Sequence, residues 1–388
     1  MAYPLENLRV LDLSRVLAGP FAGRMLSDLG ADVVKVEPPD GDLTRLWGAV
    51  IGGNPGYYHQ QNVGKRNVCI DLAVPAGSQL VQALATKADV VLENFRPGVA
   101  KRLGVSYEEL SRDNPRLVML SISGFGQQGP EALRAAFAPV IHAESGLIAR
   151  QARLSGNRPY DLPVSLSDTN ASLHGLVAVL SALLMRERTG LGQHIDMAMI
   201  DATAATDDCL HYSLEDSENT RVLPSDVWDT ADGQVLISAD FRHIWNHLSA
   251  EGGLADPSPP GATIAQKSSA RRTVIRDYIR GLAGRDALVA ILDRRNIAWG
   301  DVRTAEDIRE QSTVKHRNMI IQVDDRAGGT RPVVQSPYRF SNAEAGVRGP
   351  APWQGEHNEN VLSDWLGLNA AEVAVWERVL IHPANSAG

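Results

Sequence analysis

Apolar strand-like runs alternate with amphipathic helical segments through the first third of the chain, and this pattern limits the possible folds more than any other feature. The runs are LRVLDLS (8–14), ADVVKVE (31–37), NVCIDL (67–72), ADVVLENF (88–95) and RLVMLSIS (116–123). A strand that is apolar on both faces must be covered on both faces, so the pattern predicts an α/β fold with a doubly wound, Rossmann-like parallel sheet. Ligands of such sheets bind beyond the carboxyl ends of the strands.

The regular alternation of apolar strands and helices ends at about residue 210, and this change predicts a second domain. A chain of 388 residues also exceeds what one hydrophobic core usually fills. DVWDTADGQVLISAD indicates a hairpin with Asp232 and Gly233 at its turn, and ARRTVIRDYIRGLAGRDALVAILDRRNI indicates amphipathic helix, whereas 255–269 is loop-like. We therefore expect a large α/β domain, a smaller α+β domain and two linkers: 1–210 joined by 335–388, then 222–325, with 211–221 and 326–334 between them.

Composition excludes several classes of protein. A formal charge of -8 argues against a nucleic-acid partner, which would need a concentrated basic face. The two cysteines, Cys69 and Cys209, cannot build a disulfide framework. The start MAYPLENLRV has no signal-peptide pattern, and the longest apolar run, 176–185, is about half of a membrane span. We expect a cytoplasmic protein without membrane contact.

Asp168 is the most suggestive single residue. It stands in SLSDTNASLHG at the start of a long apolar run that predicts a buried helix. As the N-cap of that helix, its carboxylate would accept backbone N–H bonds and stay ionised. An ionised carboxylate in a dry cleft can also attack an activated acyl group. The position alone favours the cap.

Other candidate sites are weaker. The first strand–loop–helix unit has only Gly19 and Gly23 where a dinucleotide fingerprint needs three glycines, so we exclude nicotinamide binding. His243 and His247 are spaced like a metal pair, but no third ligand stands nearby, so we expect no metal site. The glycine-rich loop SGFGQQGP (123–130) could cradle an anion or could be a plain turn.

Long blocks of the chain resemble the class III CoA-transferases, the family of formyl-CoA transferase and carnitine CoA-transferase. The blocks run from VLDLSRVLAGPFAGRMLSDLGADVVKVEPPDGD through KRNVCIDL, ADVVLENFRPG and RLVMLSISGFGQQGP to SDTNASLHGLVAVLSALLMRERTGLGQHIDMAM and GEHNENVL. In this family the aspartate at the start of the central helix is the nucleophile, and it matches Asp168. The resemblance implies that Asp168 forms an aspartyl anhydride with the donor acyl group and then an aspartyl-CoA thioester.

The resemblance also implies substrates, partners and contacts. Coenzyme A is a substrate, no cofactor is bound permanently, and the family forms interlocked homodimers. The positions implied as CoA contacts are Ala18, Ile70, Asp71, Leu72, Ala73, Asn94, Phe95, Arg96, Arg102 and Phe137. Glycine amides of the 123–130 loop are a hypothetical oxyanion site.

Departures from formyl-CoA transferase leave the acids open. Leu17 and Pro38 replace a glutamine and an arginine, and less polar residues stand at 135, 137 and 138. The glycine run of that enzyme is absent from EDSENTRVLPSDVW. We therefore expect succinyl-CoA as donor and a C4–C6 dicarboxylate as acceptor.

Three alternatives remain open. The first is transfer of CoA between the two carboxyls of one acid, and the second is a binding homologue without catalysis. The third is an α-methylacyl-CoA racemase, in which the family histidine would fall on Phe137 and His142 would have to substitute for it.

Overall fold

The computed structural model describes residues 2–217 and 226–376. Its strands are β1 (Arg9–Asp12), β2 (Asp32–Glu37), β3 (Val50–Ile51), β4 (Asn54–Pro55), β5 (Arg66–Cys69), β6 (Val90–Glu93), β7 (Val118–Ser123), β8 (Gln193–Ala198), β9 (Asp226–Asp229), β10 (Gln234–Ser238), β11 (Ala298–Asp301), β12 (Ile320–Asp324) and β13 (Thr330–Val334). Its α-helices are α1 (Ala18–Asp28), α2 (Gly56–Asn62), α3 (Pro75–Ala85), α4 (Val99–Arg102), α5 (Tyr107–Asp113), α6 (Ala138–Glu144), α7 (Leu147–Ser155), α8 (Leu166–Thr189), α9 (Met199–Thr206), α10 (Leu210–Leu214), α11 (Phe241–Gly252), α12 (Ile264–Gly281), α13 (Arg285–Arg294), α14 (Ser312–His316), α15 (Asn358–Leu366) and α16 (Ala370–Trp376). Short 3-10 helices cover Leu43–Leu46 and Glu306–Glu310.

A six-stranded parallel sheet of order β5-β2-β1-β6-β7-β8 organises the larger of two compact units. Side chains along each strand alternate between two cores. In β1, Val10 packs with α1 and α8 on one face, and Leu11 packs with α3 and α15 on the other. The predicted α/β fold with a large parallel sheet is confirmed, because strands apolar on both faces are covered on both faces.

The strand order places a topological switch between β1 and β6. From β1 the chain builds outward through β2 and β5, and then it returns to β6 and builds the other way through β7 and β8. The loops that follow β1 and β6 therefore leave the sheet in opposite directions and open a crevice between them. The sequence pattern did not predict the edge strand β8, because its side chains are mostly part-exposed and it lacks an apolar run.

The two units differ from the expected domain limits. One unit extends to Asp208 and resumes at His316, and the other is Cys209–Lys315. Residues 316–334, which we expected in the small domain and its linker, instead form the hairpin β12–β13 of the first unit. Arg331 anchors this hairpin by donating to the Asn54 carbonyl oxygen at 2.8 Å. Residues 218–221 of the expected linker lie outside the described residues. Residues 222–225 and 377–388 lie outside them as well.

The second unit is α+β. Its sheet has the order β11-β10-β9, and the β9–β10 hairpin turns at Asp232 and Gly233 as the sequence predicts. Helices α11, α12 and α13 pack on this sheet around Ile244, Ile275 and Leu288. Helix α12 begins at Ile264, inside a segment that we expected to be loop, because Thr263 and Gln266 form a capping box.

Helix α8 departs from the expectation of complete burial. Leu173, Val177 and Leu184 lie on one of its faces and are 44%, 63% and 68% exposed. In the described part of the chain, α8 is the one helix with the length and apolar composition of a membrane span. The core helices of soluble proteins meet the same criterion, so this observation is weak evidence for a membrane.

Candidate active site

A cavity of about 340 Å³ opens at the carboxyl end of the sheet, beside the switch between β1 and β6. The loops after β1, β6 and β7 and the start of α9 line it, together with the segment that leads into α6. Asp168 also lines this cavity, although only 9% of the residue is exposed. A carboxylate is therefore buried at the edge where ligands of parallel sheets bind.

The carboxylate of Asp168 is held by backbone amides. Its Oδ2 accepts the N–H of Ala138 at 3.1 Å, and the N–H of Ala18 also donates to it. Ala18 is the first residue of α1 and Ala138 the first of α6, so both amides are free of intrahelical partners. The capping prediction is wrong, since the N-cap of α8 is Ser165 and Asp168 lies in the first turn. Its carboxylate serves neighbouring helices instead.

Burial and hydrogen bonds oppose each other at this carboxylate. Burial raises the pKa of Asp168 to about 6, although the N–H groups of Ala138 and Ala18 and the neighbouring His142 all favour the anion. Burial and the charge of Asp168 together raise the pKa of Tyr57 to about 12, which places the Tyr57 phenol near this site. At neutral pH, Asp168 is therefore mostly an anion that water stabilises poorly.

A second cavity of about 550 Å³ adjoins the first. Arg15 and Phe95 line both cavities. Pro38, Asp40 and Arg102 contribute to the second one, and so does the turn after β5. The two cavities together provide room for a long ligand that ends at Asp168.

The structure brings most of the expected contact residues to these cavities. Ala18, Asn94, Phe95, Arg96 and Phe137 line the first cavity, and Asp71, Leu72, Ala73, Phe95 and Arg102 line the second. Ile70 is the exception, because its side chain is fully buried in the core beneath the turn. Ile70 immediately follows β5. The resemblance concerned the backbone of residues 70–73, so it did not indicate where the Ile70 side chain lies.

The amide of Asn94 joins the two loops at the switch. Its Oδ1 accepts the Arg15 N–H and its Nδ2 donates to the Arg15 carbonyl oxygen, both at 2.8 Å. This pair ties the loop after β1 to the loop after β6 at the mouth of the crevice. The polar atoms of Asn94 are thus engaged in shaping the cavity wall.

The glycine-rich loop contributes less than expected. Ser123 and Gly124 line the first cavity, but the N–H of Gln127 is turned to the Asp196 carboxylate, at 3.1 Å and 3.0 Å from its two oxygens. Gly126 and Gly129 have positive φ values of 86° and 107°, so glycine is needed there for the turn. The amides that reach Asp168 come from Ala18 and Ala138 instead.

Sequence reasoning missed the residues that support the loop after β1. Buried ion pairs join Lys65 to Asp12 at 2.8 Å and Lys35 to Asp42 at 3.0 Å. Asp12 also accepts the Ser14 N–H at 3.0 Å. The signal was present in the sequence as charged residues inside apolar strands, which are rarely buried without a partner.

His142 is a buried, hydrogen-bonded histidine beside the site, as expected. Its Nδ1 lies 2.8 Å from Asp161 Oδ1, and its Nε2 accepts the Ser167 N–H at 3.3 Å. The ring is fully buried and does not line the first cavity, whereas Phe137 does. Both ring nitrogens are engaged by protein groups.

Within residues 2–217 and 226–376, no three His, Cys, Asp or Glu side chains are grouped as a metal site would require. The rings of His243 and His247 meet edge to face with centroids 4.3 Å apart. This geometry is that of packed aromatic rings.

Because the pKa of Asp168 is raised, we expect the substitution Asp168→Asn to stabilise the folded protein by an amount that depends on pH. The folded pKa lies above the ordinary value of 3.8, so folding favours the neutral acid, and this advantage is lost as pH rises from about 4 through about 6. Asp168→Asn removes the ionisation. We expect it to raise the free energy of unfolding by about 2 kcal/mol more at pH 8 than at pH 4, measured by chemical denaturation.

Asp113→Asn is the matched control, because Asp113 is an exposed carboxylate at the end of α5. It alters an exposed side chain, so it should change the free energy of unfolding by no more than about 0.5 kcal/mol. An Asp168→Asn variant whose effect is the same at pH 4 and pH 8 would contradict the assigned burial of the charge.

Comparisons with known proteins agree with the geometry. The model of CoA-transferase family III matches residues 5–358. The chain is 34% identical to a succinate–glutarate CoA-transferase of Agrobacterium fabrum, over 93% of this chain and 95% of that protein. It is 32% identical to a succinyl-CoA–D-citramalate CoA-transferase of Chloroflexus aurantiacus, over 96% of each.

A solved structure has the same fold. The crystal structure of a CAIB/BAIF family protein from Brucella suis superposes with a TM-score of 0.81 at 32% identity, covering 94% of this chain and all of that one. The parallel sheet and the loops that surround Asp168 lie within the residues that the family model matches. The chain belongs to CoA-transferase family III.

Proposed function

We propose that this enzyme transfers coenzyme A from succinyl-CoA to a C4–C6 dicarboxylic acid, with Asp168 as the nucleophile. The observation that carries the proposal is a buried carboxylate with a pKa near 6 at the end of two adjoining cavities. The second cavity suits the nucleotide of CoA, with Arg102 as a phosphate partner. The first cavity suits the acyl group and the end of the pantetheine arm.

Every acyl group in the proposed cycle is carried as a thioester or as an anhydride. An Asp168 oxygen attacks the thioester carbonyl carbon, the C–S bond breaks, and the CoA thiolate leaves a mixed anhydride. The thiolate then attacks the aspartyl carbonyl, which releases the donor acid and forms an aspartyl-CoA thioester. The acceptor carboxylate attacks that thioester, which releases the CoA thiolate and forms a second mixed anhydride. The thiolate then attacks the acceptor carbonyl carbon of this anhydride, which forms the new acyl-CoA and restores the Asp168 carboxylate. The cycle balances without a permanent cofactor.

The amides around Asp168 support the covalent steps. When the carbonyl of the aspartyl intermediate is attacked, negative charge develops on an oxygen that began as part of the carboxylate. The N–H groups of Ala18 and Ala138 already donate to this carboxylate. Fixed donors of this kind stabilise an oxyanion without rearranging.

Hydroxylamine trapping tests the nucleophile. After incubation with succinyl-CoA and hydroxylamine, peptide mass analysis should find a hydroxamate on the peptide that contains Asp168, because both aspartyl intermediates are activated acyl groups. Asp168→Ala should lower CoA exchange by roughly 10³-fold or more, since Asp168 is the one carboxylate among the described residues that line the first cavity.

Asp113→Asn, which alters an exposed carboxylate away from both cavities, should keep full exchange and full trapping. Binding of CoA without trapping or exchange would favour a binding homologue. Trapping at a different residue would reject Asp168 as nucleophile.

The lining of the first cavity supports a dicarboxylate. Arg15, Arg96 and Arg134 contribute to it, and a guanidinium recognises a carboxylate through paired hydrogen bonds. The relatives from A. fabrum and C. aurantiacus are named for succinate with glutarate and for succinyl-CoA with D-citramalate. A second carboxylate on the acid would therefore meet a cation near Asp168.

A matched pair of acceptors tests this specificity. Glutarate and pentanoate have the same chain length, and only glutarate carries a distal carboxylate. With succinyl-CoA as donor, kcat/KM for glutarate should exceed that for pentanoate by roughly 10- to 100-fold, which is the value of a hydrogen-bonded charge. Equal values would contradict a dicarboxylate site. Carbon-13-labelled free acid should appear in the new thioester, and its absence would favour transfer within one acid.

The racemase alternative is less well supported. It needs a base opposite Asp168, and the expected position carries Phe137, which cannot accept a proton. His142 is fully buried with both ring nitrogens engaged by Asp161 and Ser167. Proton abstraction from the α-carbon of an acyl-CoA has no suitable second group among the residues that line the first cavity.

We also propose that the enzyme is a cytoplasmic, interlocked homodimer that contacts neither membrane nor nucleic acid, and that the unit carrying Asp168 is its CoA-binding domain. The exposed face of α8 supports the dimer. Leu173, Val177 and Leu184 repeat along one side of the helix, and exposed large apolar side chains that line up in this way suit an interaction surface. A second copy of the chain that covers this stripe would bury the apolar side chains that α8 exposes.

Substitution in the stripe tests the dimer by sedimentation velocity. The wild-type chain should sediment as a dimer that does not dissociate on dilution, because interlocked chains separate only by unfolding. Val177→Glu should abolish the dimer, since it would bury an unpaired charge. Val177→Thr, which keeps the side-chain shape, should retain it. A wild-type monomer would overturn the proposal.

A further inference from the structure

The loop between β1 and α1 contains a residue in an unfavourable conformation. Val16 has a φ of 67°, in the left-handed region that a β-branched side chain rarely adopts. It lines the first cavity together with Ala18 and Asp168. Such a conformation persists only when the surrounding structure holds it.

The Lys35–Asp42 ion pair holds it. The Val16 N–H donates to the Asp42 carboxylate, at 3.3 Å from Oδ1 and 3.2 Å from Oδ2. Lys35 Nζ contacts Asp42 Oδ2 at 3.0 Å and donates to the Ser14 carbonyl oxygen at 2.8 Å. Both side chains of the pair are fully buried, so one ion pair fixes the loop at Ser14 and at Val16.

Asp42 is ionised in the folded protein. Burial works against it, but the Lys35 ammonium and the Thr44 N–H outweigh burial and hold the pKa of Asp42 well below its ordinary value. Asp42 is therefore an anion wherever the enzyme is folded and Lys35 is charged. The restraint on Val16 does not weaken at neutral pH.

The turn at Val16 leads directly into α1, which begins at Ala18. Two residues later, the N–H of Ala18 donates to the Asp168 carboxylate, and the Ala18 carbonyl oxygen accepts the Ser172 hydroxyl from α8. The N-cap residue of α1, Leu17, makes no side-chain cap, so no side chain of α1 fixes this helix end. Ala18 is therefore held on one side by the Ser172 hydroxyl and on the other by the backbone that leads from Val16.

We propose that Asp42, paired with Lys35, is a positioning residue for the transfer reaction: it holds Val16 in the left-handed conformation and so aims the Ala18 N–H at Asp168. This inference rests on the proposed function and extends it. Asp42 lines neither cavity, so it acts through Val16 and Ala18.

A double-mutant cycle tests the coupling. Asp42→Asn should lower kcat for CoA transfer roughly 10- to 100-fold and change KM for the acyl-CoA much less, because it displaces a group around the reacting carboxylate. Val16→Gly serves as the second background, since glycine adopts a positive φ without strain, and the loss caused by Asp42→Asn is compared between the two backgrounds as a ratio. In the Val16→Gly background, Asp42→Asn should lower kcat less than about threefold, because a glycine at position 16 needs no partner to hold its conformation.

Two further variants guard against a general loss of stability. Asp42→Asn combined with Lys35→Met removes both charges, so no unpaired charge stays buried, and it should show the same loss of kcat and the same rescue by Val16→Gly. Asp28→Asn is the matched control, since it disrupts the buried Arg24–Asp28 pair at the far end of α1. Its effect should be equal in the Val16 and Val16→Gly backgrounds. Equal losses for Asp42→Asn in both backgrounds would show that the pair is merely structural and overturn the proposal.

Titration of Asp168 gives a readout that needs no transfer activity. The pH dependence of carbodiimide labelling at Asp168 should shift upward in Asp42→Asn, because a displaced Ala18 N–H no longer stabilises the anion, and Val16→Gly should reverse the shift. An unchanged profile would overturn the positioning role. If the wild-type enzyme transferred no CoA, the proposed function would fail, and labelling would still decide whether Asp42 positions Ala18.

Discussion

One carboxylate buried among backbone amides is the constraint on which the site depends. Asp168 lies where α1, α6 and α8 begin, and amides of Ala18 and Ala138 donate to it in place of water. Burial raises its pKa to about 6, so it is anionic at neutral pH yet less stabilised than a solvated carboxylate. In the proposed reaction a more basic anion is the better nucleophile, and the same donors suit the oxyanion that follows attack.

The sheet topology explains why these helix ends meet. The switch between β1 and β6 opens a crevice, and Asn94 bridges its two sides through the backbone of Arg15. Beneath the crevice, the Asp12–Lys65 and Lys35–Asp42 pairs support the loop that leads into α1. Buried ion pairs add little net stability, and the positioning role that we propose for Asp42 gives the Lys35–Asp42 pair a different benefit, a defined loop geometry.

The sequence predicted the large parallel sheet and the cavity edge because apolar runs and strand ends depend on local residue order. It missed β8, whose exposed edge position removes the apolar signal, and it misplaced residues 316–334, whose partners in the first unit are distant in the chain. It expected α8 to be buried all round, but apolar composition cannot distinguish a core from a surface that awaits a partner chain.

What the sequence determined by itself is the family, the α/β architecture and the candidate nucleophile, because long motifs and strand periodicity are properties of neighbouring residues. What only the tertiary structure decided is what surrounds the Asp168 carboxylate. Its position in the chain suggested a helix cap, whereas its carboxylate receives amides from residues 30 and 150 positions away in the chain. The strained Val16 and the ion pair that holds it were likewise invisible, since a backbone angle and a buried charge pair arise only when distant segments pack together.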